Sequence, residues 1–371
     1  MTWNWQDPDW PNFKWDRARM ATAEEQFLLG AGVVIGTVKH LGEDEHNQLL
    51  VEAMSGEALT TSEIEGEILN RASVQSSVQR QLGLVADKRR ATPAEQGIAE
   101  MMVDLYQSSA EPLSNEMLFR WHGLVASGRK DLIDIGKYRT GKEPMQVISG
   151  RIGAQKVHFE APPSKQVPSE MKRFVSWFNR TTPQGAEYLP AISRAGIAHL
   201  YFESIHPFED GNGRIGRAIA EKAIAQSFGQ PLLVALATTI LAHQKSYYDA
   251  LERANQKIDV TAWLAWFADI ALEAQRRTIT QVEFLIVKTK LLDRLRGQIN
   301  DRQQKVLLRI FQEGPEGFKG GLSAGNYATI TGASPATTTR DLADLAEKGA
   351  LIRTGERKHA RYTLNPTRIN V

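Results

Sequence analysis

HPFEDGNGRIGR, at residues 206–217, is the most informative stretch of this 371-residue sequence. Two glycines flank Asn212, so the backbone can bend tightly and turn its N–H groups toward an anion. A helix is predicted to begin just after this turn, near Arg214, and a helix N-terminus favours negative charge. Arg214 and Arg217 are three residues apart and share a helical face. The stretch therefore predicts a polyphosphate site.

Two other side chains of the stretch suit phosphoryl chemistry. Asp210 is a hard oxygen ligand, placed where Mg²⁺ could bridge phosphates. His206 titrates near neutrality, which makes it the natural general base. The alternative, a helix start that happens to be basic and rich in glycine, leaves the order of histidine, acid and two arginines unexplained.

The order of these residues resembles the signature of the Fic family. In that signature His-Pro-Phe is followed by two residues, then Gly-Asn-Gly-Arg, two more residues and Arg, and every fixed position matches. The resemblance implies that His206 deprotonates a target hydroxyl and that Asp210 holds Mg²⁺. Attack of the hydroxyl on the α-phosphorus of ATP would then expel pyrophosphate.

The same resemblance assigns the phosphate contacts. It implies that Asn212 and the amides of Gly211 and Gly213 grip the α- and β-phosphates, while Arg214 and Arg217 bind the outer phosphates. A relative that phosphorylates its target has lysine where Gly213 stands, so glycine here favours AMP transfer.

Residues YYDAL at 247–251, followed by Asn255, resemble the adenine side of the family's nucleotide pocket. This resemblance implies ATP contacts from Tyr247, Tyr248 and Asn255. Packing in the core is the alternative for both tyrosines, because tyrosine is a residue of intermediate burial.

A hairpin is predicted over residues 145–160, where two strand-like segments flank a glycine-bearing turn. This segment resembles the family's flap, which aligns the target protein by strand addition. The resemblance also places Ser149 and Gly150 at ATP. A plain surface hairpin is the alternative.

Residues TSEIEG at 61–66 resemble the family's inhibitory motif, which is Ser or Thr, three residues, Glu, then Gly or Asn. Thr61 and Glu65 are four residues apart, which would put them on one helical face. The resemblance implies that Thr61, Glu65 and Gly66 form an inhibitor. The Glu65 carboxylate would pair with Arg217, take the place of the γ-phosphate and leave ATP in an unproductive pose.

The N-terminal location of this motif resembles the class whose inhibitory helix precedes the core. Glu63 and Glu67, beside the motif, look like ordinary solvated positions. The first fifteen residues hold four tryptophans with prolines between them, which resembles the domain often fused to such proteins. The simpler interpretation is an arm that packs onto the body, because tryptophan needs a surface to bury against.

Apolar residues recur at helical spacing through most of the chain. We predict a mainly α protein: a helical Fic core with a β-hairpin flap, an N-terminal helical domain and a C-terminal winged helix-turn-helix domain. The predicted boundaries are 1–85 for the N-terminal domain, 86–272 for the catalytic domain, 273–300 for a linker helix and 301–371 for the winged helix.

The C-terminal prediction comes from element order: three helices, the last over 335–348, and then two strand-like segments. Residues 302–371 contain eleven lysines and arginines against six acidic residues. This excess suits duplex DNA, bound through residues 335–364 with 337–340 lining the recognition helix. The alternative is a winged helix used for protein contact or for a homodimer.

Composition excludes several classes of protein. The net charge is only +2, so bulk electrostatics do not make the chain a polyanion binder. The absence of cysteine excludes disulfides, thiolate metal sites and cysteine nucleophiles. No signal peptide or run of about 20 apolar residues is present. We expect a cytoplasmic protein that does not enter a membrane.

The function predicted from the sequence is transfer of AMP from ATP to a Ser, Thr or Tyr hydroxyl of a target protein or of the chain itself, restrained by Glu65. Two alternatives stay open. The chain could be a DNA-binding transcriptional regulator whose Fic core senses nucleotide, or a bifunctional enzyme that also removes AMP.

Overall fold

Helices dominate the protein, and its strands form two separate two-stranded sheets in the described part of the chain. The prediction of a mainly α fold is confirmed. Two compact units form: Met1–Gly36 with Leu50–Thr278, and Thr37–Leu49 with Ile279–Val371. The computed structural model describes residues 2–39, 41–151, 154–232, 234–314 and 317–365.

The helices that precede the hairpin begin where the sequence supplies caps. The Ser114 side chain accepts a hydrogen bond from the Met117 N–H, and Thr92 forms a capping box with Glu95 ahead of Pro93. Both starts confirm predictions. These helices are α1 (Arg17–Val38), α2 (Glu43–Ile64), α3 (Arg71–Gln81), α4 (Pro93–Gln107) and α5 (Asn115–Val125).

The predicted hairpin is confirmed as an antiparallel pair, β1 (Gln146–Arg151) and β2 (Ala154–Glu160), with an irregularity between Val147 and Ile148. Helices follow it to the end of the first unit and beyond. They are α6 (Val167–Arg180), α7 (Ala191–Ile205), α8 (Asn212–Phe228), α9 (Leu236–Ala242), α10 (Gln244–Ala254) and α11 (Thr261–Leu295).

Helix α7 lies at the centre of the first unit. Every residue from Ile192 to Ile205 is buried, and α8 packs along it. The signature stretch forms the loop between these two helices and the first turns of α8, so the central packing of the unit also fixes its position.

The tryptophan-rich N-terminus packs onto this unit as an arm. Trp3 contacts Phe159 of β2 edge to face, and Trp10 contacts Tyr201 of α7 in the same way. The Trp5 indole N–H donates to the main-chain oxygen of Glu160 at 2.7 Å. The arm therefore fastens the base of the hairpin to the helical body, as the packing interpretation predicts.

The second unit has its own apolar core, which includes Leu307, Tyr327 and Leu342. Its element order is the predicted one, although the name winged helix stays a prediction. The elements are α12 (Asp301–Gln312), α13 (Ala324–Thr331), α14 (Pro335–Glu347), β3 (Leu351–Thr354) and β4 (Arg361–Leu364).

The stretch predicted as a linker helix, 273–300, is helical as far as Leu295 and forms the second part of α11, which starts at Thr261 because no helix breaker separates the two parts. One detail of the C-terminal predictions is wrong. Thr338, expected to line a recognition helix, is buried and so does not face outward. Arg368, counted in the basic excess, lies outside the described residues.

None of the helices in the described ranges combines the length and the apolar character needed to cross a membrane.

Candidate active site

The loop that joins α7 to α8, residues 206–211, is called the catalytic loop below. His206 ends α7 in the left-handed conformation, with φ 50° and ψ 60°. Gly211 also has a positive φ of 79°, which glycine adopts without strain, and it precedes the first turn of α8. These two residues turn the chain so that the N-terminus of α8 faces the same space as His206.

The Asn212 side chain closes this loop. Its Oδ1 accepts the Phe208 N–H at 3.0 Å, and its Nδ2 donates to the Phe208 carbonyl at 2.9 Å. The Asn212 side chain is therefore not free to make the predicted phosphate contact, because both of its polar atoms are hydrogen-bonded to Phe208. What Asn212 offers an anion is its main-chain N–H in the first turn of α8.

Arg139, which the sequence analysis missed, holds the other side of the loop. Its Nε donates to the His206 carbonyl at 2.8 Å, and its Nη2 donates to the Pro162 carbonyl at 2.5 Å. Burial lowers the pKa of this guanidinium to about 10, which still leaves it charged at neutral pH. One arginine thus ties the base of the hairpin to the catalytic loop. It belongs to no motif, so the sequence carried no signal for it.

His206 is neutral at physiological pH. Burial, together with the positive charge of Arg139, lowers its pKa to about 4. A neutral imidazole can accept a proton, as a general base must. Its Nδ1 lies 3.7 Å from Oε2 of Glu203, one helical turn earlier.

Asp210 is ionised. Burial by itself would raise its pKa, but the Gly211 N–H, at 2.6 Å, and the charges of Arg214 and Arg129 lower it below the usual value. Arg129 forms a salt bridge with one carboxylate oxygen, and Arg214 lies 3.7 Å from the same oxygen.

The donor set around Asp210 fits Mg²⁺ in one way. Within the described residues, no group of three or more acidic or histidine side chains could hold a metal ion alone. Mg²⁺ commonly uses one or two carboxylates together with substrate phosphates. Asp210 could supply that carboxylate at the N-terminus of α8, where phosphates would also bind.

Arg217 is buried and is bound by the predicted inhibitory motif. Its Nε donates to Oγ1 of Thr61 at 2.7 Å, and its Nη2 donates to the Thr61 carbonyl at 2.9 Å and to Oε1 of Glu65 at 2.8 Å. Helix α2 ends at Ile64, so Glu65 lies just past its last turn and not within the helix. The structure thus brings together residues that are 156 and 152 positions apart.

Arg214 is also paired with a carboxylate, which the sequence analysis did not foresee. Its Nη1 donates to Oε2 of Glu67 at 2.8 Å. Gly66 has φ +81°, a conformation that turns the chain after Glu65 and brings the Glu67 N–H to the Ser62 carbonyl. Glu67 is therefore not an ordinary solvated position. Gly66 was the residue in the sequence that could have indicated this turn.

Gly213 is required by this packing. A Cβ atom on it would lie 2.2 Å from Oε1 of Glu65 and 3.1 Å from Nη1 of Arg217. Any side chain at this position would therefore push the Glu65 carboxylate out of its place.

The residues predicted to face adenine are placed differently from one another. Tyr247 is buried, with its hydroxyl 2.9 Å from His199, and the Asn255 side chain accepts from Ser204 at 3.1 Å. Tyr248 is half-exposed, and its hydroxyl donates to the Ile64 carbonyl at 3.2 Å. Tyr248 is the one of the three predicted residues with a surface free to meet a base.

Ser149 lies on β1 of the hairpin and not in the catalytic loop. Its Oγ lies 2.6 Å from Nε2 of His158, and Nδ1 of His158 lies 2.6 Å from Glu252 of α10. Gly150 is placed opposite Gln155 in the ladder. Val147 and Ile148 are exposed, so the strand β1 leaves two apolar side chains at the surface.

Comparisons with known proteins agree with this geometry. Residues 112–224 match the model of the Fic/DOC family, and residues 3–84 match a domain of unknown function, DUF4172. The chain therefore carries a Fic/DOC domain. The match to this domain assigns no function to the N-terminal part of the chain.

Curated relatives are protein adenylyltransferases. One from Caenorhabditis elegans is 28% identical over 151 residues, which is 41% of this chain and 26% of the relative. A probable one from Aquifex aeolicus is 28% identical over 98 residues, which is 26% of this chain and 27% of the relative. The aligned region spans about a quarter of the length of these relatives.

Two solved structures share the fold. A Fic family protein from Desulfovibrio desulfuricans is 22% identical with a TM-score of 0.55, over 95% of this chain and 98% of its own. A signaling protein with a Fic domain from Bacteroides thetaiotaomicron is 17% identical with a TM-score of 0.52, over 70% of this chain and 98% of its own.

Proposed function

We propose that the chain is a protein adenylyltransferase that moves AMP from ATP to a Ser, Thr or Tyr hydroxyl of a target protein or of itself. One observation carries the proposal: a neutral histidine, whose side chain is only 17% exposed, and an ionised aspartate stand beside the N-terminus of a helix that bears two buried arginines. The names of the aligned relatives support the same reaction.

In the proposed reaction Nε2 of His206 accepts the proton of the target hydroxyl while the hydroxyl oxygen attacks the α-phosphorus. The bond between the α-phosphorus and the bridging oxygen breaks, and pyrophosphate leaves. The first-turn N–H groups of α8, with Arg214 and Arg217, would stabilise the charge on the phosphates. Mg²⁺ bound at Asp210 would neutralise part of that charge.

Autoinhibition is part of the proposal because both phosphate-binding arginines are already paired. Glu65 occupies Arg217 and Glu67 occupies Arg214. A hydrogen bond to a charged group contributes about 1.5–3 kcal/mol. The Glu65 carboxylate is 30% exposed, so solvent places its pair near the low end of that range, and the Glu67 carboxylate, at 36%, is more exposed and its pair contributes less. ATP must displace them to bind productively.

The target protein is proposed to lie along the hairpin at 145–160. Among the described strands, β1 and β2 pair only with each other, so the hairpin can accept a further strand. Arg139 links the hairpin base to the catalytic loop, which would set the distance between the added strand and His206.

The test is transfer of label from ATP in a cell extract by the wild type and by Glu65→Gly, with labelled proteins identified by mass spectrometry. At about 1.4 kcal/mol per factor of ten, loss of the pair should raise transfer about 10-fold or more. Glu63→Gly, an exposed glutamate in the last turn of α2, is the matched control and should behave as the wild type. If Glu65→Gly adds no AMP to any protein, including itself, the proposed reaction is wrong.

A second proposed function is DNA binding by the second unit. Arg340 of α14, Arg353 of β3 and Arg357 are exposed, as phosphate contacts require. The full chain should retain duplex DNA at low salt and release it as salt rises. Retention that does not depend on salt, or none, would favour a protein partner.

A further inference from the structure

Glu203 of α7 faces the imidazole of His206. Its Oε2 lies 3.7 Å from Nδ1 of His206. The glutamate side chain is only 8% exposed. A nearly buried carboxyl group thus lies beside the ring of the proposed base.

The burial of this carboxyl group is unfavourable and needs a reason. Oε1 of Glu203 has no hydrogen-bond partner among the described residues, which is costly for a buried polar atom. Helix α8 also keeps a glycine beside it, although glycine destabilises a helix interior relative to alanine. A Cβ on Gly216 would lie 2.5 Å from that same oxygen. The chain therefore retains two destabilising features that leave room for the carboxyl group next to the base.

We propose that Glu203 is a positioning residue for the catalytic base: its carboxylate orients the Nδ1–H of His206 and stabilises the imidazolium that forms when Nε2 takes the proton of the target hydroxyl. Glu203 itself neither gains nor loses a proton in this step. The inference rests on the proposed adenylyl transfer and adds a residue that the family signature at 206–217 does not include.

The ionisation of Glu203 gives the role a measurable signature. Burial raises its pKa to about 8, the negative charge of Glu65 adds to the rise, and Arg217 opposes it. Below that pH the carboxyl group is protonated and neutral, and above it the carboxylate can support the imidazolium. The rate of AMP transfer should therefore rise as pH passes through about 8. The groups around it are His199 of α7, His206 at the end of α7, Glu65 after α2, Arg217 of α8, and Tyr247 and Tyr248 of α10.

The first test does not depend on activity. The ring nitrogens of ¹⁵N-histidine-labelled protein are followed by NMR from pH 6 to 9, with the His206 signals assigned by their loss in His206→Ala. We expect those signals to shift near pH 8, and to stay constant there in Glu203→Gln. An identical titration in both proteins, or none in either, would overturn the proposal.

The second test measures AMP transfer in the Glu65→Gly background. Loss of the Glu65 charge should move the rise below pH 8 in this background. Glu203→Gln should lower the kcat measured above the rise about 10-fold, leave the KM for ATP unchanged and abolish the rise, while Glu203→Asp should retain part of it. Gly216→Ala should also remove the rise, because its methyl group displaces the carboxyl group without changing its charge. A pH profile that keeps its rise in Glu203→Gln contradicts the role. If the Glu65→Gly parent transfers no AMP, the proposed adenylyl transfer is wrong. The NMR titration then still tests the contact between Glu203 and His206.

Discussion

The catalytic loop and the inhibitory segment, residues 61–67, both contact α8, yet they are held there differently. The loop is fixed by hydrogen bonds between buried groups, from Asn212 to Phe208 and from Arg139 to His206. In the segment, Thr61 holds Arg217 with hydrogen bonds between buried groups, but Glu65 and Glu67 reach the two arginines of α8 through carboxylates that are about one-third exposed. The loop is a permanent part of the core, whereas we propose that the phosphates of a nucleotide replace the two carboxylates.

This difference separates two kinds of variant. A change in the loop should damage catalysis, stability or both, because it leaves buried polar groups without partners. A change in the inhibitory carboxylates should raise activity and leave the fold intact, because water can take over their contacts. The predictions below test that separation.

The largest effect is expected for His206→Ala. A general base contributes about 10²–10⁴-fold, so transfer in the Glu65→Gly background should fall by that factor. ATP binding should be retained, because the imidazole contacts the target hydroxyl and not the phosphates. Transfer and nucleotide affinity are measured on the same preparation. A variant that transfers AMP at the parent rate would remove His206 from the mechanism.

In the Glu65→Gly background, the loss of AMP transfer on the acidic side should begin only at an unusually low pH. The pKa of His206 is lowered to about 4, so its neutral form, which is the base, persists well below pH 6. The rate at pH 5 should equal the rate at pH 6, where Glu203 is still protonated. A histidine with an ordinary pKa of about 6.5 would lose about tenfold over that interval. Such a loss, with folding intact by circular dichroism, would show that the ring is solvated.

Asn212→Ala should be the most destabilising single change in the loop. It strips the Phe208 N–H and carbonyl of their partners, and an unsatisfied buried group costs about 1–3 kcal/mol. Thermal unfolding should begin several degrees lower, and transfer should fall as the loop loosens. Glu65→Gly, measured beside it, should unfold close to the wild-type temperature. Equal melting temperatures for all three proteins would contradict a permanent loop.

The sequence was most informative where a function or a cap requires particular residues at a fixed spacing. The signature at 206–217 and the caps at Thr92 and Ser114 are of this kind, because their residues interact with near neighbours in the chain. The hairpin was also found from its turn.

What the sequence could not predict depends on burial. Arg139, Glu203 and Glu67 acquire their contacts only when distant segments pack together, and an exposed glutamate and a buried one look alike in a sequence. The outward face assigned to Thr338 was wrong for the same reason. The side chain of Asn212 was expected at phosphate, but the loop that it closes is visible only in three dimensions.

The smallest effect, and the finest test of the comparison, is expected for Glu67→Gln. The amide keeps the size of the side chain and removes the charge that pairs with Arg214. Because the carboxylate is 36% exposed, this pair should contribute about 0.5–1 kcal/mol, which corresponds to roughly 2–5-fold in transfer. Glu63→Gln, on the exposed end of α2, is the control and should have no effect. The rise should appear in the wild type and shrink in Glu65→Gly, since residues in one network do not act additively. A Glu67→Gln protein that matches the control in both backgrounds would leave Glu65 as the sole inhibitory carboxylate.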